Sequence, residues 1–218
     1  MRSVVIGASG GIGRALADAL EARGGEVVRL SRPELDLTDE GSIAGAAARV
    51  GAADQVIVAT GLLHDAEQKP EKSMAALDAA ALARSFAINA IGPALVAKHF
   101  LPLLPRDRRG VFAALSARVG SISDNRLGGW HAYRASKAAM NQLIRTLAIE
   151  LRRTHPQAIC VGLHPGTVDT HLSAPFHRGV PDLFTPERAA AALLGVLDGL
   201  MPEQSGRLFS WDGQEIAP

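Results

Sequence analysis

A chain of 218 residues is long enough for one well-buried domain and short for two. Its 23 Lys plus Arg against 22 Asp plus Glu leave a net charge of +1, without the basic patch or run that nucleic acid or a membrane surface calls for. A single cysteine, Cys160, excludes an internal disulfide framework, and 47% hydrophobic with only 4% aromatic residues suits helices lying closely on a sheet.

Short apolar runs alternate with longer helical ones, the pattern of a parallel sheet covered on both faces. Ser3 to Ile6 is the first expected strand, followed by a helix from Gly11 to Arg23 that Gly24-Gly25 stops. Glu26 to Leu30 is the second strand. A short link then leads to Leu35-Asp36-Leu37, expected as a brief third strand, and Thr38 or Asp39 caps a helix over Glu40 to Val50. Gln55 to Ala59 is the fourth strand. A helix over Met74 to His99 follows, with a kink or break expected at Gly92-Pro93 because proline removes a backbone donor. Val111 to Leu115 and Ala158 to Leu163 are the fifth and sixth strands, separated by a helix over Ala132 to Arg153. A helix over Pro186 to Leu200 and an edge strand over Arg207 to Ser210 complete the chain. Nothing reads as a linker or repeat, so residues 1–218 are expected to form one domain. The first strand starts too close to Met1 for a signal peptide, and no stretch of about 18 uncharged apolar residues marks a membrane span. A cytoplasmic protein is the expectation.

Two motifs carry chemistry. Gly7-Ala8-Ser9-Gly10-Gly11-Ile12-Gly13 lies between the first strand and the first helix, spaced G-x-x-x-G-x-G. Glycines there permit positive φ and let backbone N–H groups approach a pyrophosphate, which the helix N-terminus favours. Tyr133 and Lys137 stand four residues apart on a helix, so phenol and ammonium reach one site. A phosphate cradle and a proton donor beside a cation are what carbonyl reduction by a nicotinamide cofactor needs. Lys137 and the cofactor's positive ring are together expected to pull the phenol below its ordinary value of about 10. At the end of the second strand, Ser31 and Arg32 offer a hydroxyl and a guanidinium, which suit a 2′-phosphate and favour NADP over NAD.

These motifs, in this order, resemble the short-chain dehydrogenase/reductase family over nearly the whole chain. SARVGSISDNRLGGWHAYRASKAAMNQL is similar to the branch of sniffer-type carbonyl reductases and bacterial C-factor signalling proteins. The resemblance implies a doubly wound Rossmann-type α/β fold and an NADP(H)-dependent oxidoreductase acting on a small carbonyl or alcohol. In that reading Tyr133 is the general acid/base, Lys137 also holds the cofactor ribose, and Asn89 in FAINAIG supports a proton-relay water. The implied cofactor set is Gly7, Ser9, Gly11, Ile12, Gly13, Ser31, Arg32, Asp36, Leu37, Ala59, Thr60, Gly61, Tyr133, Lys137, Pro165, Gly166, Val168 and Thr170. A homodimer or homotetramer joined through the helices bearing Asn89 and Tyr133 is implied as well.

The chain departs from the family pattern in two places. Ala59 stands where the family has asparagine, and Ala117 stands where it has a serine that hydrogen-bonds the substrate carbonyl. Ser116 precedes that position and Ser121 follows the turn's glycine; Ser116 is the favoured fourth catalytic residue. Strand alternation sends Ser116 and Ala117 to opposite faces. Residues 170–185 are expected to form a substrate flap whose Leu172, Phe176 and Leu183 favour a hydrophobic compound. His64 and His131 lie near the expected cleft, and the seven histidines show no metal-ligand spacing, so no metal is expected. A nucleotide-binding signalling or regulatory protein with little turnover is the alternative.

Overall fold

The computed structural model describes residues 1–177 and 182–218. The strands are β1 (Arg2–Ile6), β2 (Glu26–Leu30), β3 (Gln55–Val58), β4 (Gly110–Leu115), β5 (Ala158–His164), β6 (Leu208–Ser210) and β7 (Glu215–Ile216). They form one sheet in the order β2-β1-β3-β4-β5-β6-β7. Neighbours are parallel except at the antiparallel β6–β7 edge. The helices are α1 (Gly11–Ala22), α2 (Glu40–Val50), α3 (Ala79–Phe86), α4 (Gly92–Phe100), α5 (His131–Leu151) and α6 (Pro186–Gly199).

The period-2 alternation of each strand sorts its side chains between two cores. Val4, Ile6, Val56, Val58, Phe112 and Ala114 face the layer of α2, α4 and α5. Val5, Ile57, Ala113, Leu115, Val161 and Leu163 face α1 and α6. Cys160 is buried in the first core, and burial pushes its thiol up to about 12, so it is an inert packing group. The chain winds from β1 outward to β2 and then returns to β3 on the other side of β1. Loops leaving the C-terminal ends of β1 and β3 therefore diverge, and open α/β sheets bind ligands in the crevice between such loops.

Three expectations are corrected. Leu35-Asp36-Leu37 is not a strand; β2 is the edge of the sheet. Its polar groups bond locally instead: the Asp36 amide donates to Ser42 Oγ (2.9 Å), and Asp36 Oδ1 accepts from the Thr38 amide (2.8 Å) and hydroxyl (2.7 Å). Leu35 is driven into the core with 3% exposure, and Leu37 lies close enough to Gly92 that a Cβ there would sit 2.7 Å from its own Cβ.

Second, the segment from Met74 is not one helix. Met74–Ala76 is a separate 3-10 turn, and α3 begins after Asp78, whose Oδ1 accepts from the Ala81 amide (2.8 Å). Gly92-Pro93 does not break the run either. Helix continues over Ala79–Leu103, and a π turn at Ala87–Ile91 precedes the proline. The Gly92 amide reaches back five residues to the Ala87 carbonyl, so the ladder has already changed phase where Pro93 lacks its donor. This run is long and apolar enough to cross a membrane by length and composition; about a third of it is buried against the rest of the protein. Third, β6 is not the edge strand, because the two-residue β7, too short to read from sequence, pairs outside it.

Because the Leu35 segment is held by side-chain burial rather than by a strand ladder, Leu35→Ala should cost about 2–5 kcal/mol. Chemical denaturation measures it; a loss below about 1 kcal/mol would contradict this anchoring.

Candidate active site

The glycine loop packs as tightly as its spacing implies. Gly7 has φ +85°, and a Cβ on Gly13 would lie 2.1 Å from the Gly7 carbonyl oxygen, so only glycine lets α1 start against the loop. α1 has no side-chain cap and no acidic residue in its first turn, whereas Asp39, Asp78 and Thr185 cap α2, α3 and α6. The first-turn amides at Gly11, Ile12 and Gly13 thus have no intrahelical partner, and Gly10, just ahead of them, lines the crevice. Ser9 donates its amide to Ser31 Oγ (3.0 Å), tying the loop to the end of β2.

A cavity of about 590 Å³ opens here, lined among others by Gly7, Ser9, Ser31, Arg32, Asp36, Leu37, Ala59, Thr60 and Gly61. Nine of the expected cofactor residues are therefore brought together. Thr60 Oγ1 is buried and, among the described residues, has no partner. Sequence reading missed Thr38, Leu62, Asp65, Arg84 and Ile88, which also line the cavity. Asp65 pairs with Arg84, and no local spacing signals that contact. Ile12 and Val168 serve partly as packing: Val168 is buried with Phe184 and Ala189, and Ile12 packs on that cluster.

At the other end of the crevice, α5 presents Tyr133 and Lys137. Lys137 is almost fully buried, and its Nζ donates to the Leu115 carbonyl at the end of β4 (2.7 Å). Burial lowers its ammonium to about 7. The Nζ lies 5.8 Å from the centroid of the Tyr133 ring. Tyr133 retains some solvent exposure, yet its enclosed phenol is pushed up to about 12 by burial. Lys137 by itself does not produce the expected lowering; desolvation by burial wins.

Asn89, fully buried in the π turn, exchanges two bonds with the Leu62 backbone: Oδ1 accepts from its amide (2.7 Å) and Nδ2 donates to its carbonyl (2.8 Å). Nδ2 also donates to Ser136 Oγ (3.1 Å), whose hydroxyl donates to the Tyr133 carbonyl (3.0 Å). Gly61 is where these parts converge. A Cβ there would stand 3.7 Å from both Asn89 Oδ1 and Lys137 Nζ, and 3.9 Å from Leu172.

Ser116, the expected fourth catalytic residue, has its hydroxyl committed elsewhere. It donates to Asn141 Oδ1 (2.6 Å), and Asn141 lines a second cavity behind α5. Ser121 lies by Ser123 and the Pro218 carbonyl. The Pro165–Thr170 segment reaches the glycine loop: the Thr170 methyl would be 2.8 Å from a Cβ on Gly11, and Gly166 (φ +79°) sits against Trp211. Of the expected flap, residues 178–181 lie outside the described residues. Phe176 packs on Trp130 (centroids 4.9 Å) and approaches His64 (5.7 Å); His64 Nε2 is 3.2 Å from the His171 carbonyl oxygen.

Comparison with known proteins gives the family and the fold. The sequence profile described as short chain dehydrogenase matches residues 34–180. The protein named C-signal from Myxococcus xanthus is 40% identical over 142 residues, 64% of this chain and 80% of its own. A 1-hydroxy-2-glutathionyl-2-methyl-3-butene dehydrogenase from Rhodococcus sp. (strain AD45) is 31% identical over 96% of both chains. Among solved structures, an NADPH-bound carbonyl reductase from chicken fatty liver superposes with a TM-score of 0.85 at 24% identity, covering 100% of this chain and 98% of that one.

Two measurements check the geometry. Lys137 titrates at about 7 folded against 10.5 unfolded, so between these values the unfolded state binds more protons and stability rises with pH. The apo protein should gain up to about 1.4 kcal/mol per pH unit from this group between pH 7 and 10. Lys137→Met should remove that slope; an unchanged slope would contradict the buried amine. Ser116→Ala should cost about 1 kcal/mol through the lost bond to Asn141, and an unaltered denaturation midpoint would count against that bond.

Proposed function

The chain belongs to the short-chain dehydrogenase family, and we propose that it is an NADP(H)-dependent oxidoreductase interconverting a carbonyl and an alcohol, with Tyr133 as general acid/base. The observation that carries this reading is the convergence of Tyr133, Lys137 and the Asn89–Leu62 lock on one end of a crevice whose other end is an uncapped glycine-rich helix start.

The residues present suit the cofactor. The amides of Gly11, Ile12 and Gly13 would hold its pyrophosphate, and Thr60 Oγ1 is a polar group in need of a partner. Arg32, exposed beside Ser31 at the cavity wall, would grip a 2′-phosphate, which favours NADP over NAD. The NADPH-bound state of the chicken structure supports the same cofactor class.

Bound NADPH would supply the hydride that reduces the carbonyl carbon. Tyr133, protonated at neutral pH because burial raises its phenol to about 12, donates the Oη proton to the carbonyl oxygen and completes the alcohol. The phenolate left behind draws the Lys137 amine into its charged form, so the two groups titrate as a pair. Leu115 O keeps Nζ in place through that change. Asn89 holds the Leu62 backbone and retains a free lone pair on Oδ1 for a relay water. With Ser116 bonded to Asn141, Tyr133 polarises the carbonyl without that hydroxyl.

In this reading the chain is one domain, and the described residues 170–177 cover the substrate, Phe176 lying on Trp130. Apolar Ile91 and Ile149, exposed on the helical run bearing Asn89 and on α5, support a dimer or tetramer joined there. A second reading, a nucleotide-binding signalling protein with little turnover, is favoured by the 40% identity to C-signal and by the commitment of Ser116.

Tyr133→Phe distinguishes them. Carbonyl reduction should fall by about 10²-fold or more while NADPH affinity is retained. Undiminished turnover in the variant would overturn the assigned acid.

A further inference from the structure

Three consecutive residues ahead of α5 run through the left-handed region: Gly128 (φ +64°), Gly129 (φ +65°) and Trp130 (φ +52°). Glycine does so freely, but a Cβ makes the conformation costly, and tryptophan stays in it only where its surroundings hold it there. The holding group is Glu71, which is distant in sequence and just 5% exposed. Its carbonyl accepts from the Trp130 amide (2.5 Å), and its Oε2 accepts from the Ala132 amide (3.3 Å) in the first turn of α5. A Cβ on Gly129 would come within 3.3 Å of the Glu71 carbonyl oxygen, so glycine allows this close approach. The loop that carries Glu71 is itself tied down, by Asp65 to Arg84 and by Gln68 Nε2 to Ser85 Oγ (2.7 Å).

The consequence is a fixed indole beside the phenol. The Trp130 ring meets the Tyr133 ring edge-on (6.3 Å, 68°) and touches Phe176 (4.9 Å), forming a continuous aromatic wall next to the Tyr133 phenol. Aromatic rings prefer offset or edge-on partners at such separations, so the wall rewards a ring on the substrate more than a saturated group of equal size. We propose that Trp130 is a specificity-determining residue that selects carbonyl compounds bearing an aryl ring, and that Glu71 is the positioning residue that holds its left-handed backbone. The inference rests on reading the crevice as a carbonyl-reducing site.

Phenylacetone and cyclohexylacetone separate ring from reactivity, because both present the same methyl ketone one methylene away from the ring. The NADPH-loaded protein should favour phenylacetone in kcat/KM by about tenfold. Trp130→Phe should keep that preference, and Trp130→Gly should lose it while binding NADPH as tightly as before. Glu71→Ala keeps the carbonyl that holds the Trp130 amide and removes only the acceptor of the Ala132 amide, so it should lower the preference part of the way, and Glu71→Gln, which retains that acceptor, should restore it. A ratio near one in the parent protein, or one unmoved by Trp130→Gly, overturns the proposal. Calorimetry on NADPH-loaded Tyr133→Phe protein gives a readout independent of turnover. Phenylacetone binding that depends on Trp130, together with a parent protein that reduces neither ketone, would uphold the aromatic wall and sink the reductase. Equal affinities for the two ketones would sink the wall alone.

Discussion

The rest of the crevice depends on burying Lys137. An amine withdrawn from water is tolerable only when hydrogen-bonded, and the end of β4 supplies the acceptor in Leu115 O. That bond fixes α5 against the sheet and thereby sets where Tyr133, one turn earlier, presents its ring. The same placement leaves two of the three ammonium donors for whatever occupies the crevice. Lys137, Asn89 and Leu172 meet around Gly61, within 3.7–3.9 Å of where a Cβ would stand.

A second constraint comes from the sheet. It stops at β2, so the segment over Leu35–Thr38 is free of ladder bonds and folds back as a compact turn anchored by Leu35 in the core. The turn places Asp36, Leu37 and Thr38 on the cavity wall beside Ser31 and Arg32. The loops after β1 and β3 part at the place where the winding reverses, and the uncapped start of α1 lies there. Topology and helix electrostatics therefore select the same spot for an anionic ligand.

What could be read from the sequence was local. The glycine spacing, the four-residue step from Tyr133 to Lys137 and the apolar strand runs each encode their own geometry, and the structure realises them. The failures turn on which partner each group finds in the fold, near in the chain or far from it. Leu35-Asp36-Leu37 carries an alternating pattern, yet Ser42 and Thr38 satisfy its polar groups before any strand can. Pro93 forecasts a disturbance in the helix, but not that a π turn ahead of it would absorb the missing donor and seat Asn89. Alternation separated Ser116 from Ala117 without revealing that Asn141 takes up the Ser116 hydroxyl. Glu71 has no motif at all; its importance arises only where it meets Trp130 and Ala132 across the fold.

The central claim is that this crevice is built for a nicotinamide dinucleotide phosphate, and titration tests it most directly. Trp211 beside Gly166 and Trp130 beside Tyr133 report through their quenching and through energy transfer to a reduced nicotinamide. Saturable NADPH binding, with NADH distinctly weaker, is the result the account predicts. Failure of both nucleotides to bind at millimolar concentration would contradict it.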